Sequence, residues 1–173
     1  MTFTPPLRAA ALVASLGLLA TAAALATRWA LHSRDLRRQR TARVEIVTIC
    51  CTFEAFARDH NAYPTGTPPA DGCRGYQPYH FPAYAWPVSQ PLSSIRTLLS
   101  PAYTRVLPLT DPWGYPYRFR VTPDGCSYTI VCSGRDGRID SPPLKDWDRN
   151  DVDRDYVFSD GQFVSFWKGM AAR

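Results

Sequence analysis

The pattern of apolar and polar positions changes its period several times along the chain. Residues Ala9 to Ala26 carry no charge and are rich in Ala and Leu, a composition and length that predict a membrane-crossing helix. Ala24-Leu25-Ala26 has the small-x-small form of a signal cleavage site. Only Arg8 charges the preceding flank, however, and the helical pattern continues through Trp29 and Leu31, which favours an uncleaved anchor. From Thr41 to Asn61 the period becomes amphipathic. Ile46, Ile49, Cys50, Phe53, Phe56 and Ala57 fall on one helical face, with Glu45, Thr48, Thr52 and Asp59 on the polar one. This predicts a stem helix covering a sheet, stopped at Asn61-Ala62-Tyr63-Pro64.

Residues 65–90 lose all periodicity and gather Tyr76, Tyr79, His80, Phe81, Tyr84 and Trp86 among prolines and glycines. Rings and prolines packing an irregular loop onto a small core explain this best; a stacking platform for a ligand is the alternative. Ser93 to Ser100 predicts a short helix. Beyond Asp111 the alternation is that of strands: 115–121 and 127–132 around Pro123-Asp124-Gly125, then 156–158 and 163–166 around Ser159-Asp160-Gly161. The predicted class is α+β, a long N-terminal helix, anchor plus stem, packed on a small antiparallel sheet. Its parts are an anchor over 1–33, a stem over 34–62 and a head over 63–173, with an insertion loop at 66–92 and an Asp-rich loop at 136–155.

Charge refines this picture by its placement more than by its net value of +5. Arg28, Arg34, Arg37, Arg38, Arg40 and Arg43 crowd just after the apolar segment, opposed only by Asp35. Beside a membrane segment such a cluster fits lipid headgroups, at about 1 kcal/mol per cation near an anionic surface, and a nucleic-acid partner is rejected. The acids instead concentrate after Asp136. The five cysteines leave one unpaired if the others bridge. Cys50 and Cys51 are neighbours on one helix, and Cys126 and Cys132 lie too far apart along one strand to bridge each other. Cys73 remains, to meet Cys132 or a helix cysteine. Buried apolar thiols or one structural disulfide are expected ahead of any redox role, and no zinc-type spacing is present.

Several runs together resemble the major pseudopilins of bacterial type II secretion systems. They are Ala62-Tyr63-Pro64, then Leu107-Pro108-Leu109-Thr110-Asp111-Pro112-Trp113-Gly114-Tyr115-Pro116-Tyr117, then Tyr128-Thr129-Ile130 and Ser133-Gly134-Arg135-Asp136-Gly137. The likeness spans roughly Arg43 to the C-terminus, with an insertion between Gly66 and Ser93. It implies a non-catalytic, single-pass inner-membrane protein of a type II secretion or pilus-type assembly, its head periplasmic. Its partners would be other pilin-like subunits or inner-membrane components of the secretion system, and membrane lipid. The alternative class is a stand-alone exported binding module using the aromatic loop 76–86.

The resemblance also implies a Ca²⁺ ion in the loop after the Asp-Gly turn. Asp136 carries over directly as a ligand, the later acidic pair falls among Asp151, Asp153 and Asp155, Asp140 lies in the same loop, and Ser133 and its neighbours offer carbonyls. The chemistry agrees in kind, since Ca²⁺ takes six to eight oxygens, largely carboxylate and carbonyl. An EF-hand is excluded, because after Asp146-Trp147-Asp148 the sixth position is Asp151 and the twelfth Val157. The N-terminus departs from the family. Phe3-Thr4 echoes its processing site, but Thr2 replaces Gly, Pro5-Pro6 follow, and no acid precedes Asp35. The domain is then either no standard filament subunit or has its true start elsewhere. The Arg cluster would itself favour a cytoplasmic C-terminal side, against the exported head that the family implies.

Overall fold

The computed structural model of the chain describes residues 5–65, 90–123, 125–139 and 151–163. Helix α1 runs Pro5–His60. Contacts divide the chain into two units, residues 1–37 and 38–173.

In the first unit α1 is long and apolar enough to cross a membrane, by length and composition. Val13, Leu16, Leu18, Leu19, Leu25 and Trp29 are all exposed. Within the helix Thr21 and Thr27 turn their hydroxyls back onto the carbonyls of Leu18 and Ala23, so neither needs an outside hydrogen-bond partner in an apolar setting.

In the second unit the rest of α1 is the spine of the head. Ala42, Ile46, Ile49 and Phe53 are fully buried and Cys50 nearly so, on the face the periodicity predicts. They meet a five-stranded antiparallel sheet in the simple order β1 (Gln90–Pro91), β2 (Arg118–Val121), β3 (Tyr128–Cys132), β4 (Tyr156–Ser159) and β5 (Gln162–Phe163). The α+β class follows. Between β1 and β2 lie a single 3-10 turn (Leu92–Ile95) and a one-turn helix α2 (Arg96–Leu99), which bury Leu92, Ile95 and Leu99 in the same core.

Register fixes which face meets the helix. Phe119 stands opposite Ile130, and Ile130 opposite Phe158, with Tyr128, Cys132 and Tyr156 in step. These side chains face α1 and share one core with it, while Arg118 and Arg120 alternate outward. Phe53 sits edge-on to Phe119 at 5.8 Å and tilted against Tyr128 at 5.3 Å.

The helix stop behaves as its residues dictate. Asn61 takes a left-handed φ of 54°, which a short polar side chain tolerates at a helix end. The chain then turns so that the Tyr63 amide donates to the Gly125 carbonyl at 2.9 Å, tying the helix exit to the β2–β3 turn. The two-residue β1, set beside Phe119 and Arg118, was not legible in the aromatic run that precedes it. The predicted insertion loop lies outside the described residues up to position 89, and so do 164–166 of the last predicted strand.

Candidate functional site

The two punctuation runs of the sequence meet in space, and their meeting follows from local geometry. At the first, Asp111 is only 4% exposed and acts as a turn organiser. Its Oδ1 accepts the amides of Trp113 at 3.0 Å and Tyr115 at 2.9 Å, its carbonyl accepts the Gly114 amide, and Gly114 holds φ at +99°. The Cys132 thiol on β3 donates to Oδ2 at 3.3 Å, so one carboxylate joins the turn to the sheet. Trp113 is partly buried against the core, as an anchor for the turn should be.

The second run, 133–137, lies under the first and against the acidic segment 151–155. The Tyr115 ring occupies the space where a Cβ on Gly137 would project. Gly134, at φ +65°, packs so closely that a Cβ would stand 2.7 Å from the Arg154 carbonyl oxygen and 2.9 Å from Asp153 backbone atoms. The Arg135 amide donates to the Val152 carbonyl at 2.9 Å, and its guanidinium grips both carboxylate oxygens of Asp153 at 2.7 Å. From the helix, Gln39 Nε2 donates to the Asp151 carbonyl at 3.1 Å, and the Arg43 guanidinium stands 5.2 Å from the Tyr156 ring centroid.

Each predicted calcium ligand can now be placed. Asp136 is exposed, with Oδ1 accepting the Arg138 amide at 3.0 Å. Asp151 is half-buried, with Oδ1 on the Asp153 amide at 3.1 Å, while Asp153 is engaged by Arg135. Asp155 and Ser133 are buried at 1% and 6% exposure. Asp140 lies outside the described residues. Gly134 and Arg135 bring Ser133 and Asp136 into one neighbourhood with the 151–155 segment, but among the described residues no three acids, cysteines or histidines converge as a donor set.

Polar residues of the helix matter in a way the periodicity concealed. Glu45 and Thr52 were expected on the solvent face. Glu45 Oε2 instead accepts the Tyr117 hydroxyl at 2.6 Å, and Thr52 is 4% exposed, its hydroxyl on the Thr48 carbonyl. Glu54 Oε1 accepts the Tyr63 hydroxyl at 3.0 Å and that of Tyr128 at 3.2 Å, while the Cys50 thiol lies 2.8 Å from the Tyr128 oxygen. The signal was in the strands: Tyr117 and Tyr128 alternate inward, and a buried tyrosine hydroxyl requires a partner from the covering element.

Burial sets the titration of this network. Desolvation pushes the Cys50 thiol from the ordinary 9.0 up to about 11, against the lowering effect of its Tyr128 hydrogen bond. Cys132 is raised by burial and then by the Asp111 charge; Tyr117 and Tyr128 are raised by burial and by their hydrogen-bond partners. The unfolded chain gives up these protons at a lower pH than the folded one, so stability is complete below about pH 9 and falls as pH rises through 9 to 11. Urea midpoints measured at pH 7, 9 and 10.5 should therefore be level over the first interval and drop over the second. A midpoint that stays level to pH 11 would contradict the network.

Both buried thiols and a disulfide occur, as the cysteine pattern leads one to expect. Cys126 is disulfide-bonded, whereas Cys50, Cys51 and Cys132 are free. The thiols of Cys132 and Cys50 are turned into the core onto Asp111 and Tyr128, and Cys51 faces solvent, so none of the three is bridged; Cys73, which the sequence set against them, lies outside the described residues. Beside Cys126 is a cleft of about 260 Å³ whose walls include Glu54, Arg58, Asn61, Tyr63 and Gly125. The aromatic loop 76–86 lies outside the described residues. Comparison with known proteins finds no matching family model, no matching curated protein and no matching solved structure.

Proposed function

We propose that this protein is a membrane-anchored, non-catalytic, pseudopilin-like structural protein of a type II secretion or pilus-type assembly. The observation that carries the reading is the division of labour along α1. One helix supplies an exposed apolar segment of membrane-spanning length and, further on, the buried spine of a small antiparallel head. The meeting of the Asp111 turn with the 133–137 turn, through Tyr115 and Gly137, supports it, since those are the runs on which the resemblance rests. In this reading the anchor sits in the inner membrane, the Arg cluster lies at the headgroups, and the head faces the periplasm.

Photo-crosslinkers placed singly between residues 9 and 26 of the full chain in native membranes test the assembly. Crosslinks to pilin-like or secretion-system inner-membrane proteins are expected. Membrane retention with crosslinks to lipid alone would sink the assembly reading and leave the stand-alone exported module.

Calcium belongs to the same proposal. Asp136, Asp151 and Asp155, with Ser133 nearby and Asp140 in the connecting loop, are the residues to hold it, supplying hard oxygen donors while Arg135 neutralises Asp153. Bound calcium would offset carboxylate repulsion in the loop. Adding 1,000 Kd of free Ca²⁺ to the chelated full chain in detergent is expected to stabilise it by about 4 kcal/mol. Thermal melts that coincide in EDTA and in Ca²⁺ remove calcium from the proposal and leave the anchor and head untouched.

A further inference from the structure

The cleft between the end of α1 and the β2–β3 turn belongs to neither the anchor nor the loop crossing, and it encloses about 260 Å³. Glu54 and Arg58, one turn apart on α1, line it together with Asn61 just past the helix end. A Glu and an Arg four residues apart ordinarily pair on a helix surface. Here they do not. Glu54 Oε1 is drawn instead to the hydroxyls of Tyr63 at 3.0 Å and Tyr128 at 3.2 Å. Among the described residues the Arg58 guanidinium and the Asn61 carboxamide form no hydrogen bond or ion pair. We propose that this cleft binds a small zwitterion of amino-acid size, its carboxylate held by Arg58 and Asn61 and its ammonium by Glu54.

A guanidinium and a carboxamide supply the N–H donors that a carboxylate accepts. Glu54 keeps Oε2 as an acceptor, and the two tyrosine hydroxyls on Oε1 hold its carboxylate in place. The cleft also lies at the C-terminal end of α1, the negative pole of the helix dipole, which favours a cation beside Glu54. A ligand with a single charge would meet its like on the wall: an anion faces Glu54, a cation faces Arg58. A zwitterion answers both. The volume sets the size, since it is below the roughly 300 Å³ at which sites for drug-sized molecules begin. Ala57, Ala62 and Tyr63 give the rest of the wall an apolar surface for a short side chain. No residue of the anchor lines the cleft, so such binding is independent of membership in a secretion assembly.

The test is a titration of the isotope-labelled full chain in detergent with L-alanine, followed by the amide signals of Asn61, Tyr63 and Gly125. Saturable shifts with a Kd of about 1 mM or tighter are expected. N-acetyl-L-alanine lacks the ammonium, and L-alaninamide lacks the carboxylate and stands for the first residue of a peptide. Each should bind at least about tenfold more weakly than L-alanine. Arg58→Gln should weaken L-alanine binding by about tenfold or more, with the urea midpoint of the parent, because Arg58 is exposed. Arg96→Gln removes an exposed arginine on α2 that does not line the cleft, and it should bind as the parent does. No saturable shift with L-alanine, equal binding of either derivative, or an Arg58→Gln chain that binds like the parent would each overturn the proposal. The two derivatives test the charges without any substitution, so they decide even where a variant fails to fold.

Discussion

Replacing Phe53 with alanine is expected to cost the head about 3–5 kcal/mol, the range for deleting a fully buried phenylalanine. Phe53 is completely buried at the centre of the helix–sheet contact and touches two sheet rings, Phe119 and Tyr128, in edge-on and tilted geometries. Aromatic pairs of this kind add about 0.5–1.5 kcal/mol beyond burial, so the loss should sit in the upper part of the range. Phe53→Leu keeps most of the volume and should cost under about 1.5 kcal/mol. Urea denaturation of the full chain in detergent reads both. A loss below about 1 kcal/mol for the alanine variant would mean that α1 is not seated on the sheet as described.

The second large effect concerns the crossing of the two loops. Gly134 and Gly161 both hold positive φ, +65° and +87°, so alanine at either meets backbone strain. Only at Gly134 does the added Cβ also strike backbone, at 2.7 Å and 2.9 Å, whereas nothing lies within 4 Å at Gly161. Gly161→Ala should therefore cost about 1–2 kcal/mol from conformation alone. Gly134→Ala should cost roughly 3–4 kcal/mol, because the 133–137 and 151–155 segments must separate and loosen the Arg135–Val152 hydrogen bond. Equal losses in the two variants would show that the loops part without penalty. In the calcium proposal the Gly134 variant also loses any stabilisation by Ca²⁺, since it pulls Ser133 and Asp136 away from Asp151 and Asp155.

Much of the fold was legible because the head is built on two clear periods. The 3.6-residue recurrence of Ile46, Ile49, Cys50 and Phe53 and the alternation around Phe119 and Ile130 each mark the face that is buried. The turn residues also spoke for themselves: Asn61, Gly125 and Gly161 take the positive φ that their positions imply. What escaped was long-range polar pairing. Glu45 reads as solvent-facing because a helical wheel assigns carboxylates outward; only a tyrosine delivered from just ahead of β2, Tyr117, makes it an acceptor. β1 escaped because a two-residue strand has no period to detect. The site was half legible: the sequence gives the acids, but Arg135 gripping Asp153 depends on how two loops cross, which spacing along the chain does not encode.

The tie between Tyr63 and Gly125 has a consequence for how this protein can vary. Tyr63, ahead of the 66–89 span, is tied to the β2–β3 turn, and Gln90, after it, stands opposite Phe119 on the strand leading into that turn. Both residues are thus pinned to a single hairpin by backbone bonds indifferent to side-chain identity. Lengthening a loop costs free energy only logarithmically. The ladder and the helix contact therefore hold the two attachment points, Tyr63 and Gln90, in place whatever number of residues joins them.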